Sequence, residues 1–247
     1  MTTVIKLGGS LLDDKNRRAD ALASIAAAWN SGRQLVLVHG GGKHVDAALA
    51  KVGIAKRTHA GLRVTDDATL DVVVSVLGGT VNKMLVAELT ALGIRAAGIS
   101  GCDGSTLIAD RHEPIDGVDL GHVGQVTGSN RALITAMLTY GILPVVSSVA
   151  QGPAGTLLNV NADTAAAAIA VAHNADALHF ITDVPGLLDA TGNVVGRLTV
   201  RDAHVLLGSG AVSGGMRPKL HAALNALQSG VGAIHIGEEG GTHLVAA

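Results

Sequence analysis

Short runs of adjacent apolar residues recur along this chain, spaced so that a helix fits between one and the next. The clearest is Gln34-Leu35-Val36-Leu37-Val38, which ends at the turn His39-Gly40-Gly41-Gly42. A strand that is apolar on both faces has to be covered on both sides, which selects a mostly parallel sheet between helices. Residues 4–7, 34–38, 95–99, 143–147, 177–181 and 233–236 read as such strands. Helical patterns are read at 19–29, 44–50, 67–76, 81–92, 131–140, 164–173, 200–207 and 219–228. Residues 108–128, richer in Gly, His and Asp, read as a hairpin excursion. The expected fold class is α/β, an open, mostly parallel sheet in an α/β/α sandwich. Ligands of such sheets gather beyond the carboxyl ends of the strands, and the glycine turns fall there.

With 247 residues, 48% hydrophobic and 15% charged, the chain can bury a core for one α/β domain or two fused lobes. A net charge of −2 leaves no basic footprint for nucleic acid. A single Trp, Tyr and Phe offer no platform for stacking bases. Cys102 is the one cysteine, which precludes an intrachain disulfide and suits a reducing cytoplasm. The start, Met1-Thr2-Thr3, shows no basic region followed by a signal core, so a cytoplasmic protein is expected. Residues 132–162 carry no charge, but Gly141, Pro144, Gly152 and Pro153 interrupt them. They read as a buried helix, a strand and a loop rather than a membrane span.

Two lysines in glycine-rich settings bracket the chain. Lys6 lies in Lys6-Leu7-Gly8-Gly9-Ser10, and Lys219 closes Gly214-Gly215-Met216-Arg217-Pro218-Lys219. Bare N–H groups in glycine turns can approach phosphate oxygens, and ammonium groups can neutralise a transferring phosphoryl. Taken singly, Gly8-Gly9 and Gly40-Gly41-Gly42 read equally as tight strand-to-helix turns. Lys6 ends an apolar strand, where an unpaired ammonium is costly to bury, so it calls for an anionic partner. Lys219 opens a helix, the wrong end of the dipole for a cation unless an anion binds there. Asp163 is either the cap of the alanine-rich helix or a catalytic group. Arg63 is either a surface arginine or a two-point clamp on a carboxylate. Walker-type, dinucleotide-binding, nucleophile-elbow and zinc signatures are absent from the sequence.

Together these segments resemble the amino-acid kinase family, closest to its branch acting on N-acetyl-L-glutamate in arginine biosynthesis. The similarity runs through IKLGGSLLDD, LVLVHGGG, GLRVTDDATLDVV, LGHVGQV, NVNADTAAAAIA, ITDVPGLLD and GGMRPKLHAAL. GLRVT followed by NVNAD is its most specific part. The resemblance implies ATP-dependent phosphorylation of the γ-carboxylate, with Mg²⁺ held mainly through the nucleotide phosphates. It makes Lys6 and Lys219 the lysines that stabilise the phosphoryl and Asp163 the group that holds both. It assigns Gly41, Gly42, Arg63 and Asn159 to the acetylated amino acid, Arg63 through the α-carboxylate. It assigns Gly8 and Gly9 to the phosphate path. Thr182, Asp183, Val184, Pro185, Gly186, Leu187, Ala211, Val212 and Ser213 fall to the nucleotide, and no residue to a metal.

On the same resemblance, residues 1–155 form the lobe that binds the acid and 156–247 the ATP lobe, on one continuous sheet. Three residues precede the first strand and the C-terminal stretch is short, so an arginine-insensitive homodimer is expected. Two other readings are a kinase for a related N-blocked acid, such as a 2-aminoadipate of lysine synthesis, and a non-catalytic ligand-binding regulator. A pocket separates acids differing by one methylene by only about 1–3 kcal/mol.

Overall fold

A computed structural model describes residues 1–247 apart from Asp183, Ala190, Ala211, Ser213, Glu238, Glu239, Ala246 and Ala247. The chain opens with β1 (Thr2–Leu7), α1 (Gly9–Asp13), α2 (Lys15–Asn30), β2 (Gln34–His39) and α3 (Gly42–Lys51). A small hairpin, β3 (Thr58–His59) and β4 (Leu62–Arg63), precedes α4 (Asp67–Val74), a π-helical turn at Ser75–Val81, and α5 (Asn82–Ala91). Then come β5 (Ala96–Ser100), β6 (Ile108–Arg111), β7 (Val123–Gly128), α6 (Ala132–Thr139), β8 (Leu143–Ser147), β9 (Val149–Gln151) and β10 (Leu157–Val160). The remainder is α7 (Ala162–Ala172), β11 (Ala177–Ile181), β12 (Arg197–Thr199), α8 (Val200–Ser209), α9 (Met216–Gln228), β13 (Ala233–Ile236) and β14 (Thr242–Val245).

Eight strands form one sheet in the order β12-β14-β13-β11-β1-β2-β8-β5. Its pairings are parallel except for β13 with β14. Successive side chains of a strand point to opposite faces, and the core divides on that rule. Val4, Val36, Val38 and Phe180 pack on one face with residues of α7 and α9. Ile5, Leu7, Leu35 and Leu37 pack on the other with residues of α2, α3 and α5. The α/β/α sandwich expected from the doubly apolar strands is therefore the fold. β6, β7, β9 and β10 close into a small barrel beyond the sheet, and β6 pairs antiparallel with β7 as the hairpin reading requires.

Residues 67–76 and 81–92 are not two helices, because Asp67–Ala91 runs as one. Gly78-Gly79 suggests a break, but Gly78 serves close packing: a Cβ there would lie 2.8 Å from Ser100 Oγ. The run stays helical by widening into the π turn. By length and composition it could also cross a membrane, with a mean hydropathy of 1.5. Six of the short strands, β3, β4, β9, β10, β12 and β14, carry no separate sequence signal, since two to four residues show no period.

One ion pair ties the second helix to the end of the long one. Arg18 is buried, and its Nε and Nη2 donate to Glu88 Oε2 and Oε1 at 2.9 and 2.8 Å. Glu88→Ala leaves a buried guanidinium without its carboxylate, and a loss of about 2 kcal/mol is expected. Urea unfolding measures it, and an unchanged midpoint shows that water replaces the carboxylate.

Candidate active site

The centre of the sheet supplies the first lysine. Lys6 occupies the penultimate position of β1, and its ammonium lies 2.8 Å from Asp163 Oδ1. Asp163 sits in the first turn of α7, where the helix dipole favours a negative charge. It does not cap that helix. Asn161 does so, its Oδ1 accepting from the N–H groups of Asp163 and Thr164 at 2.8 and 3.2 Å. The Asp163 carboxylate is thereby free to face the lysines. Lys219, in the first turn of α9, donates to both its oxygens at 3.1 and 3.2 Å and stands 5.2 Å from the centre of the Phe180 ring.

All three groups are buried. Burial alone raises the Asp163 carboxyl, but Lys6 and Lys219 hold it below the usual carboxylate range. Burial pushes the Lys219 ammonium down to about 8, Lys6 adds to that, and Asp163 opposes it. One carboxylate between two ammonium groups leaves an excess of one positive charge, which an arriving anion can neutralise.

The glycine turns converge on this trio. Gly8 N–H donates to Ile181 O at 2.8 Å, which draws the first turn against the end of β11. A side chain at Gly8 would meet Ile181 O at 3.0 Å, and one at Gly9 would start 3.8 Å from Gly42 N. Gly41 has φ 156°, and a Cβ there would lie 3.0 Å from Leu77. Gly8 and Gly41 are therefore needed on steric grounds, whereas Gly9 and Gly42 have room for a side chain.

A cavity of about 250 Å³ is lined by Lys6, Gly41, Gly42, Arg63, Asn159 and Asp163, among others. It falls below the ~300–1,000 Å³ of sites for drug-sized ligands, which suits a small acid rather than a nucleotide. Arg63, at the end of the β3–β4 hairpin, donates from Nη2 to Gly42 O at 3.1 Å and pairs with Asp46. Its Nη1 is buried without a hydrogen-bond partner among the described residues, a donor left for a ligand. Asn159 Nδ2 donates to Thr65 Oγ1 at 3.2 Å.

On the expected nucleotide side, Thr182 and Gly186 are buried beyond β11. Gly186 abuts Thr242, with 2.9 Å between a Cβ placed there and Oγ1, and Leu187 N–H donates to the same oxygen at 2.8 Å. Leu187 and Val212 both belong to the core. Val184 is half-buried and Pro185 exposed, Pro185 with its carbonyl against Gly237. Asp183, Ala211 and Ser213 lie outside the described residues. Two residues escape sequence reasoning. Asn161 has a legible signal, a capping residue directly before an alanine-rich helix, whereas Asp46 has none, because its pairing with Arg63 spans 17 positions.

A sequence model described as the amino acid kinase family matches residues 1–238. The chain belongs to the amino acid kinase family. An acetylglutamate kinase from Methanopyrus kandleri is 47% identical over 92% of this chain and 91% of its own length. One from Koribacter versatilis is 42% identical over 96% of this chain and 90% of its own length. The crystal structure of a Streptococcus mutans UA159 protein superposes with a TM-score of 0.88 at 29% identity, covering 99% of this chain and 98% of that one. Membership of this kinase family makes the protein a phosphotransferase and implies ATP as donor.

Asp163→Asn removes the attraction that raises Lys219, while burial and Lys6 continue to lower it. Its titration is expected below the value of about 8 set by the intact trio. Lysine Cε–Nζ NMR across the alkaline range measures this. A Lys219 midpoint that stays in place shows that the carboxylate does not hold the pair.

Proposed function

We propose that this protein transfers the γ-phosphoryl of ATP to the γ-carboxylate of N-acetyl-L-glutamate, the acyl-phosphate step of arginine biosynthesis. The observation that carries the reading is the buried Lys6–Asp163–Lys219 trio beside a small cavity with a free guanidinium N–H. Relatives named acetylglutamate kinase, at 47% and 42% identity over nearly the whole chain, support the choice of acid. The intact trio speaks against a non-catalytic regulator.

The chemistry needs no general base, because the attacking group is already a carboxylate. Its oxygen forms the new bond to phosphorus as the bond to the ADP oxygen breaks, and ADP leaves with that electron pair. Two anions have to be brought together, and Lys6 and Lys219 offset their repulsion and the charge spread over the phosphoryl oxygens. Asp163 keeps both ammonium groups in one place. Arg63 and Asn159 grip the acid, and Gly41 and Gly42 offer N–H groups to its reacting end. Gly8 and Gly9 let the triphosphate approach, and the turn from Thr182 to Leu187 with residues 211–213 flanks the nucleotide. Magnesium would be held mainly by the nucleotide phosphates and would offset their charge, since Asp163 is already taken by two lysines. On this reading residues 1–155 serve the acid and 156–247 the nucleotide.

A second copy of the chain pairs with this one, as a homodimer. The place of β5 at the edge of the main sheet supports that reading, since no described strand pairs with its outer side. A homodimer is in keeping with a cytoplasmic enzyme. Sedimentation velocity at micromolar concentration is expected to give a dimer, and a monomer there removes the proposal.

An ADP-release assay, with hydroxylamine trapping the acyl phosphate, tests the activity. N-acetyl-L-glutamate is expected to exceed its 2-aminoadipate homologue, and no trapped product from either sinks the reading. Lys6→Ala and Lys219→Ala are each expected to lower kcat about a hundredfold or more, with little change in KM for the acid. Arg63→Lys is expected to raise that KM, because an ammonium lacks the planar two-point grip. Near-normal kinetics would remove the residue concerned from its role.

A further inference from the structure

His39 ends β2 fully buried, and a reaction without a general base leaves it no proton to carry. Its ring is nevertheless held from both sides. Nδ1 lies 2.8 Å from Gly40 O, and Nε2 lies 3.0 Å from Asn82 Nδ2. Asn82 has its orientation set elsewhere. Its Nδ2 is 2.9 Å from Val145 O and 3.3 Å from Ile99 O, while its Oδ1 accepts from Lys83 Nζ at 3.1 Å. Turned over, the amide would set its oxygen against two carbonyl oxygens. Nδ2 is therefore the donor, so Nε2 of His39 accepts and the single ring proton sits on Nδ1, donated to Gly40 O. Polarity runs one way from Lys83 through Asn82 and His39 to the glycine turn.

That turn is part of the cavity. In a trans peptide the C=O and the following N–H point in opposite directions, and no peptide bond here is cis. With Gly40 O drawn onto the buried ring, the Gly41 N–H faces away from it, on the side where Gly40, Gly41 and Gly42 line the cavity beside Lys6. No described residue accepts from that N–H. The π turn contributes from above. Leu77 and Val81 fill the space a Gly41 side chain would need, and Asn82 follows directly, reaching under the ends of β2, β5 and β8.

We propose that His39, fixed by Asn82 as its Nδ1–H tautomer, is a positioning residue that aims the Gly41 N–H at the oxygen gaining charge during phosphoryl transfer. This rests on the kinase reading above. The electrostatics agree with it. Burial, with Lys83 and His44 adding, pushes His39 down to about 4 against the pull of the Gly40 carbonyl. The ring is neutral at working pH. A charged ring would carry a proton on Nε2 and turn it against the Asn82 N–H.

The test begins with the wild-type protein. Long-range ¹H–¹⁵N correlation of its imidazoles is expected to show His39 protonated at Nδ1 only, from pH 5.5 to 8. An Nε2–H tautomer, or a midpoint near 6.5, overturns the proposal. Asn82→Leu keeps the bulk and removes the amide, and should lower kcat about tenfold or more. Both KM values should stay within about twofold, as Arg63 and Asn159, which grip the acid, are left in place. A folded variant with wild-type kcat, or one that loses only stability and affinity, also overturns it. Absence of activity in the wild type would instead defeat the kinase reading, and the tautomer measurement, which needs no substrate, keeps the two failures apart.

Discussion

Among the described residues Asp163 is the carboxylate between two buried lysines, and the placing of β1, α7 and α9 keeps it there. At about 3 Å and an effective dielectric near 20, each lysine–aspartate attraction is worth about 5 kcal/mol before desolvation. Taking each ion out of water costs several kcal/mol, and the two ammonium groups repel one another. The trio is thus no source of stability to speak of. Its balance is unfavourable to the lysine that burial lowers to about 8, and an anion in the site relieves that. The excess positive charge of the trio favours an anion beside it.

The elements that carry the trio are packed into the main sheet and the helices on one of its faces. Lys6 projects from β1, which has a parallel neighbour on each side, and Asp163 and Lys219 ride on α7 and α9, which pack against one another and the same sheet face. Charges held this way need little reorganisation when an anion arrives beside them. The side of the cavity that Arg63 lines is built differently. Arg63 stands on a two-residue strand of a small hairpin, anchored through Gly42 O and Asp46. Lys56 and Arg63 hold the Asp46 carboxyl low against the raising effect of its partial burial, so the anchor stays charged.

Much of this was legible in the chain itself. Unbroken apolar runs, apolar on both faces of each strand, determined a parallel sheet covered on both sides, whatever the packing detail. The cost of burying an ammonium at the end of an apolar strand required an anion near Lys6, and the dipole at the start of α9 required one near Lys219. The physical chemistry of each segment could not say that it is the same anion; the family resemblance alone pointed to Asp163 for both. Asp163 lies 157 residues from Lys6 and 56 from Lys219, and only the parallel register of β1 with β11 and the packing of α7 on α9 bring them together. Whether Asp163 caps its helix was likewise a tertiary matter. A cap suits an aspartate at that point of the sequence, and the position of the Asn161 oxygen shows that Asn161 does the capping instead. Gly78-Gly79 lowers helix propensity, yet the segment is helical, and Gly78 is there because Ser100 leaves no room for a side chain. Composition and periodicity report on what each segment has to bury, whereas a site is a set of distances between segments, which the closing of the sheet alone supplies.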